Sequence, residues 1–229
     1  MMLIINNKPL KSNEELQKNV VDAINWEPLL QAAEIGVMAV DGVVTLSGSV
    51  NTYAKKAEAE QATKSVAGVK TVVDTIEIVF NTKDIKTDAE ITNAIENAFK
   101  WHWDIPTEKV MVSVENGWVF LSGDLEWNYQ KEFAESAVIN LIGIKGITNT
   151  INIITSTKDK IEKEAIEIAI ERNGTINNKN ICISVLKNVV TLTGNVDSWY
   201  QKSEAGRIAW NAPGVHQVNN DLYVDFDEL

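Results

Sequence analysis

Three short stretches of this chain set aromatic rings beside a lysine. They read Trp127-Asn128-Tyr129-Gln130-Lys131, Trp199-Tyr200-Gln201-Lys202 and Tyr53-Ala54-Lys55-Lys56, and Lys56, Lys131 and Lys202 occupy one register. A ring next to an ammonium suits a bilayer interface, where the ring sits at headgroup depth and the cation meets phosphate. The same residues also suit a structural task, in which the rings cover a glycine turn and the lysine solvates a helix. From sequence, Tyr53, Lys56, Trp127, Tyr129, Lys131, Trp199, Tyr200 and Lys202 are therefore membrane- or ligand-surface candidates with a plainer account beside them.

Other residue types that carry chemistry are sparse. His102, within Trp101-His102-Trp103-Asp104, and His216 are the two histidines. A zinc site needs about four N, S or carboxylate ligands at close spacing. Neither histidine has such a cluster around it, so both are weak metal candidates and no cofactor is expected. Cys182 stands inside a strand pattern, which favours a structural over a reactive thiol, and a single cysteine excludes an intramolecular disulfide. Glu162, Glu164, Glu167 and Glu171 with Lys160 and Lys163 read as a solvated helix face with i, i+4 pairs.

These residues are positioned by a unit written three times. DGVVTLSGSV at Asp41 to Val50 returns as NGWVFLSGDL at Asn116 to Leu125 and as KNVVTLTGNV at Lys187 to Val196. A second glycine follows the first by 20 residues in each copy: Gly48 and Gly68, Gly123 and Gly143, Gly194 and Gly214. The copies are offset by 75 and then 71 residues, longer than the ~20–50 of solenoid repeats. The repeat is a small domain, and the units span 1–81, 82–155 and 156–229. Units this small bury limited apolar surface alone, so they are expected to pack on one another. The linkers, about Asn81 to Lys86 and Thr155 to Lys158, carry no flexible Gly/Ser run.

Each unit opens with an apolar stripe at helical spacing: Leu16, Val20, Ala23 and Ile24 behind Ser12 and Asn13, then Ile91, Ile95, Ala98 and Phe99 behind Thr87 and Asp88. Unit 3 offers Ile166, Ala169 and Ile170, with Ile161 standing in where Glu162 interrupts the stripe. A hairpin follows. Asp41-Gly42 and Asn116-Gly117 are strong two-residue turn signals and Lys187-Asn188 a weaker one. Gly48, Gly123 and Gly194 are expected to end its second strand. A second helix is expected over about 53–66, 129–141 and 200–211, with Gly68, Gly143 and Gly214 as its C-terminal cap. One more strand closes the unit, carrying Val72, Ile76 and Ile78 in the first copy. The fold class is α+β: three tandem α-β-β-α-β units, each a three-stranded mixed sheet with two helices on one face.

On the sheet face opposite that core, unit 2 places Met111, Trp118 and Phe120 where unit 1 has Gly36, Val43 and Thr45 and unit 3 has Cys182, Val189 and Thr191. An apolar patch on a face that should be wet marks an interface. Packing against a neighbouring unit is the favoured account, with self-association into a homo-oligomer or a ligand groove as alternatives.

The 229 residues carry a net charge of −11 and are 45% hydrophobic and 23% charged, a folded-protein composition. Acidic residues outnumber basic ones in every unit, 10 to 7, 11 to 6 and 11 to 8. Nucleic acid, which demands a positive footprint, is not an expected partner, and bulk adsorption to anionic lipid is weakened. The opening MMLIINNKPLKSNEELQ lacks a signal-peptide pattern, and no run approaches the ~18 apolar residues of a membrane span; a cytoplasmic location is expected. No nucleophile elbow, P-loop, dinucleotide fingerprint or metalloprotease helix occurs. With no histidine or acid cluster shared by the units, the chain reads as non-enzymatic with no catalytic residues.

The plan of the unit, with VTLSG at Val44 to Gly48, VFLSG at Val119 to Gly123 and VTLTG at Val190 to Gly194, resembles the BON domain. The later stretches GVKTVVD, GIKGITN and GVHQVNN, starting at Gly68, Gly143 and Gly214, carry the same resemblance, and the three copies cover almost the whole chain. It implies a non-catalytic binding module linked to envelope or osmotic stress, with a phospholipid surface or an envelope protein as partner. Some members bind a small cation such as potassium, which the resemblance extends to this chain as an alternative.

Overall fold

A helix opens each unit on an apolar residue every third or fourth position, and in the first two units a polar cap precedes it. The computed structural model describes residues 12–30, 35–101, 106–154, 163–176 and 180–224. In α1 (Asn13–Trp26) the Ser12 hydroxyl accepts from the Glu15 N–H at 3.1 Å, and Leu16, Val20 and Ile24 are buried. In α3 (Asp88–Trp101) Thr87 and Glu90 form a reciprocal capping box, with Thr87 N–H donating to Glu90 at 2.9 Å and Glu90 N–H to the Thr87 hydroxyl at 3.3 Å. Those bonds from Thr87 hold the Glu90 carboxyl below the ordinary carboxylate range. The shorter α5 (Lys163–Glu171) buries Ile166 and Ile170; Ile161, Glu162 and Lys160 lie outside the described residues, as do 155–158 of the second linker.

The first residue of the opening helix also fastens the hairpin. Asp88 accepts from the backbone N–H groups of Asn116 and Gly117 at 2.8 and 2.9 Å, and Asn13 accepts from Asp41 N–H at 2.9 Å. The hairpins are β1 (Ile35–Val40) with β2 (Val43–Val50), β5 (Val110–Glu115) with β6 (Trp118–Leu125), and β9 (Ile181–Leu186) with β10 (Val189–Val196). Asp41-Gly42 and Asn116-Gly117 hold positive φ at both turn positions, whereas in the third turn only Lys187 does. The second helices are α2 (Tyr53–Lys64), α4 (Asn128–Ile139) and α6 (Trp199–Trp210). Each lays a fully buried alanine, Ala59, Ala134 or Ala205, on its sheet, where the small side chain permits close approach.

The last strand returns parallel to the middle one, which makes each sheet mixed. In unit 1 it is β3 (Thr71–Asp74) followed by β4 (Glu77–Ile78), in unit 2 β7 (Gly146–Asn149) followed by β8 (Asn152–Ile153), and in unit 3 the single β11 (Gln217–Val224). Spatial order is first, middle, last strand in all three. Val44 and Leu46, Val119 and Leu121, and Val190 and Leu192 point at the helices and are fully buried.

Two boundaries differ from the sequence reading. Gly48, Gly123 and Gly194 lie inside the middle strand, which runs two residues further. At Gly123 and Gly194 the chain entering the first strand crosses the glycine: with φ of 134° and 115°, a Cβ there would collide with the Lys109 or Asn180 carbonyl. The second glycine is not the helix cap either, since α2, α4 and α6 end at Lys64, Ile139 and Trp210 on residues of ordinary helical geometry. Gly68 and Gly214 take positive φ in a turn closed by Val69 N–H to Val66 and Val215 N–H to Ala212, with Pro213 preceding Gly214 as such turns favour.

The third strand breaks in units 1 and 2 for a local reason. Thr75 donates both its N–H and its hydroxyl to the Leu46 carbonyl, at 2.9 and 2.6 Å, and Ile76 N–H turns to the Asp74 carboxylate at 2.8 Å. Thr150, Leu121, Ile151 and Asn149 repeat the arrangement. The Ile76 and Ile151 carbonyls then need donors, and Lys56 and Lys131 supply them at 2.6 and 2.8 Å. Unit 3 has Asp221 in place of the threonine, the strand runs through unbroken, and Lys202 takes up no such bond. We expect Lys131→Met to cost about 1 kcal/mol in a denaturant melt by orphaning a carbonyl, and Lys202→Met to cost measurably less. Gly123→Ala should be far harsher, about 2–4 kcal/mol or loss of the folded state, read the same way.

Candidate binding surfaces

The eight residues singled out at the start of the second helices do not share one fate. Lys56 and Lys131 are turned inward onto strand carbonyls, and Lys56 also pairs with Asp74 at 3.5 Å. The break in the third strand claims both ammonium groups, so the three lysines do not make the same contacts. Lys202, free of that duty, lies over the Trp199 ring with Nζ 5.1 Å from its centroid. The Trp199 indole N–H is buried and meets no acceptor among the described residues. Tyr200 is exposed.

Tyr53 belongs to unit 1 yet packs against the core of unit 2. Burial there, with the Glu135 and Glu60 charges beside it, pushes its phenol above the ordinary value. At the other side Trp210, the last residue of α6, packs on the cores of both unit 2 and unit 3. Each flanking unit thus leans on the middle one through one aromatic ring of its second helix. Trp210 was not singled out from sequence; its signal was a tryptophan at a helix end beyond the apolar stripe.

Most of the exposed rings lie on unit 2, with Trp26 exposed on unit 1 and Tyr200 and Tyr223 on unit 3. Aligning the three lysines sets Trp127 opposite Thr52 and Ser198, the N-terminal caps of α2 and α6. Those hydroxyls accept from Lys55 N–H at 3.3 Å and Gln201 N–H at 3.2 Å. An indole N–H accepts nothing, so α4 gives up that bond and keeps only the return bond, Trp127 N–H to the Gln130 side chain at 3.2 Å. Trp127 and Tyr129 are exposed, and so is Phe133, which meets Tyr129 edge to face with centroids 5.9 Å apart. Phe133 escaped the sequence reading although it stands one helical turn beyond Tyr129. Ile154, bonded through its N–H to the Leu125 carbonyl, adds an exposed apolar residue at the same end of the sheet. Carboxylates flank this end: Glu132 accepts from Asn128 at 2.7 Å and Glu126 pairs with Lys109 at 3.8 Å.

Met111, Trp118 and Phe120 do lie on the face away from the helices, 65%, 48% and 37% exposed. Of the three, Trp118 faces unit 1, lining a cleft with Tyr53, Lys56 and Ile76, and all three keep a third or more of their surface exposed. Trp118 is the one of the three with a special seat: its ring lies against Gly146, where a Cβ would collide with it. The matching pairs are Val43 with Thr71 and Val189 with Gln217.

His216 donates its backbone N–H to the Asn188 carbonyl at 2.9 Å, and His102 lies outside the described residues. Among the described residues no three His, Cys, Asp or Glu side chains come together as metal ligands, and no helix is long and apolar enough to cross a membrane. Cys182 is exposed on β9, and Lys163 pairs with Glu167 at 3.1 Å on the solvated face of α5.

Comparison with known proteins agrees with this three-part build. The BON domain matches at residues 12–79, 87–155 and 158–225. The osmotically-inducible protein Y of Escherichia coli is 30% identical over 124 residues, 52% of this chain and 62% of that protein, so the match spans under two thirds of its length. A 21 kDa hemolysin of Actinobacillus pleuropneumoniae is 28% identical over 145 residues, 62% of this chain and 74% of the other. Among solved structures, the C-terminal domain of CdsD, the structural protein of the type III secretion system of Chlamydia trachomatis, aligns over 92% of this chain and 98% of its own at 15% identity with a TM-score of 0.25. With three matches that together take in nearly all of its length, the chain belongs to the BON domain family.

Proposed function

We propose that this protein is a non-catalytic binding module that docks on phospholipid surfaces through the aromatic end of unit 2. The observation that carries the reading is Trp127: a position that serves as a hydroxyl cap in both sister units holds an exposed ring instead. Trp127 and Tyr129 supply amphipathic rings that settle at headgroup depth, and Phe133 adds an apolar one beside them. The relation to an osmotically inducible protein supports a role in the response of the cell envelope to stress.

The charge of the chain sets the kind of surface. With Glu126 and Glu132 beside the rings and a net charge of −11 overall, attraction to anionic lipid is not the driving term. Partition of the rings is, and that is indifferent to salt. Full-length protein should pellet with phosphatidylcholine vesicles equally at low and high salt, and less well when phosphatidylglycerol is added at low salt. Trp127→Ser should lose most of the pelleting while staying folded, since the restored cap bond, worth about 1 kcal/mol, offsets contacts that the ring gives up. Pelleting by Trp127→Ser equal to that of the unaltered chain would overturn the proposal.

A further inference from the structure

Units 1 and 2 enclose a cleft of about 360 Å³ between α2 and the edge of the second sheet, a volume in the range of small-molecule sites. Tyr53 forms one wall, packed against the core of unit 2. Trp118 and Gly146 form the opposite wall, and Ile76 and Ile147 add apolar lining. The Trp118 ring is seated against the bare backbone of Gly146. Neither sister unit has this pair, and the ring lies on the edge that meets a neighbouring unit.

Most charges around the cleft are already engaged by neighbours. Asp74 pairs with Lys56 and also accepts from Ile76 N–H at 2.8 Å, while Lys56 donates to the Ile76 carbonyl. Glu60 pairs with Lys64 at 2.5 Å. Glu135, beside Tyr53, accepts from the Asn149 side chain at 3.1 Å, and the remaining lining ion is Lys145, which has no carboxylate within ion-pair distance among the described residues. A half-exposed indole, a tyrosine and apolar side chains beside one unpaired ammonium are complementary to a flat apolar body with one negative charge.

We infer that the cleft between units 1 and 2 is a binding site for a small aromatic carboxylate, its ring against Trp118 and its carboxylate on Lys145. This site is separate from the aromatic end of unit 2 and does not depend on the lipid reading. The test is titration calorimetry of the full chain with naphthoate, beside naphthamide as the uncharged ring and octanoate as the charged chain without a ring. Naphthoate should bind saturably at one site, and the other two at least several-fold more weakly. Trp118→Val installs the residue that units 1 and 3 carry, and Lys145→Gln removes an exposed charge. Each should weaken naphthoate about tenfold, the scale of one ring contact or one charge-assisted bond. Trp127→Ser should bind naphthoate like the unaltered chain. No saturable binding, undiminished binding by Lys145→Gln, or octanoate or naphthamide binding as tightly as naphthoate would each overturn the inference. Should Trp118→Val fail to fold, Lys145→Gln and the two control ligands decide it alone.

Discussion

Every sheet in this protein has one dry face. Two helices and three strands of about 70 residues can bury one layer of side chains and no more. The alternating valines, leucines and isoleucines of the middle strands fill that layer against Ala59, Ala134 and Ala205. What the second face carries is then set by something other than the core of its own unit. So are the residues at the ends of the second helices, which project past the sheet. The units match in their cores and differ at these places: Tyr53 against Trp199, Thr52 and Ser198 against Trp127, Val43 and Val189 against Trp118.

Three copies in one chain act as each other's controls. At the cap of α2 and α6 the residue is the one that local stability favours, a hydroxyl that accepts from a helical N–H. At the cap of α4 it is a tryptophan that cannot. On the middle strand a β-branched valine gives way in unit 2 to Trp118, which requires a glycine beneath it and so weakens the neighbouring strand as well. Two departures from the locally stable choice in the same unit, both leaving large rings at the surface, are hard to account for by folding alone. Local rules are broken where another demand outweighs them.

The core and the turns were legible because they rest on short-range rules. Alternation in Val110, Val112 and Val114 assigns a face, and Asn116-Gly117 forces a hairpin whatever surrounds it. The break in the third strand was not legible from hydrophobic pattern, since Ile76 and Ile151 fall where an unbroken strand would also put apolar residues. It depends on Thr75 and Thr150 drawing a carbonyl twice and on an Asx side chain taking the next N–H. Once that is known, Lys56 and Lys131 cease to be surface cations. The cap position of Trp127 was within reach, because the lysine register alone sets it opposite Thr52 and Ser198. The crossing of Tyr53 into unit 2 was not, because no property of one unit's sequence says which neighbour its helix will meet.

Docking of both flanking units on the middle one gives that unit a double burden. It must hold Tyr53 on one side and Trp210 on another while keeping Trp127, Tyr129 and Phe133 exposed. A ligand held between Tyr53 and Trp118 would touch units 1 and 2 at once, so its binding energy would add to the contact that joins them. Anything that binds only the joined arrangement stabilises that arrangement by mass action. The aromatic end of unit 2 starts at Trp127, directly after the strand that carries Trp118. Trp118 opens that strand and Trp127 lies beyond its other end, so a ligand in the cleft would rest at the end of the strand away from the exposed rings.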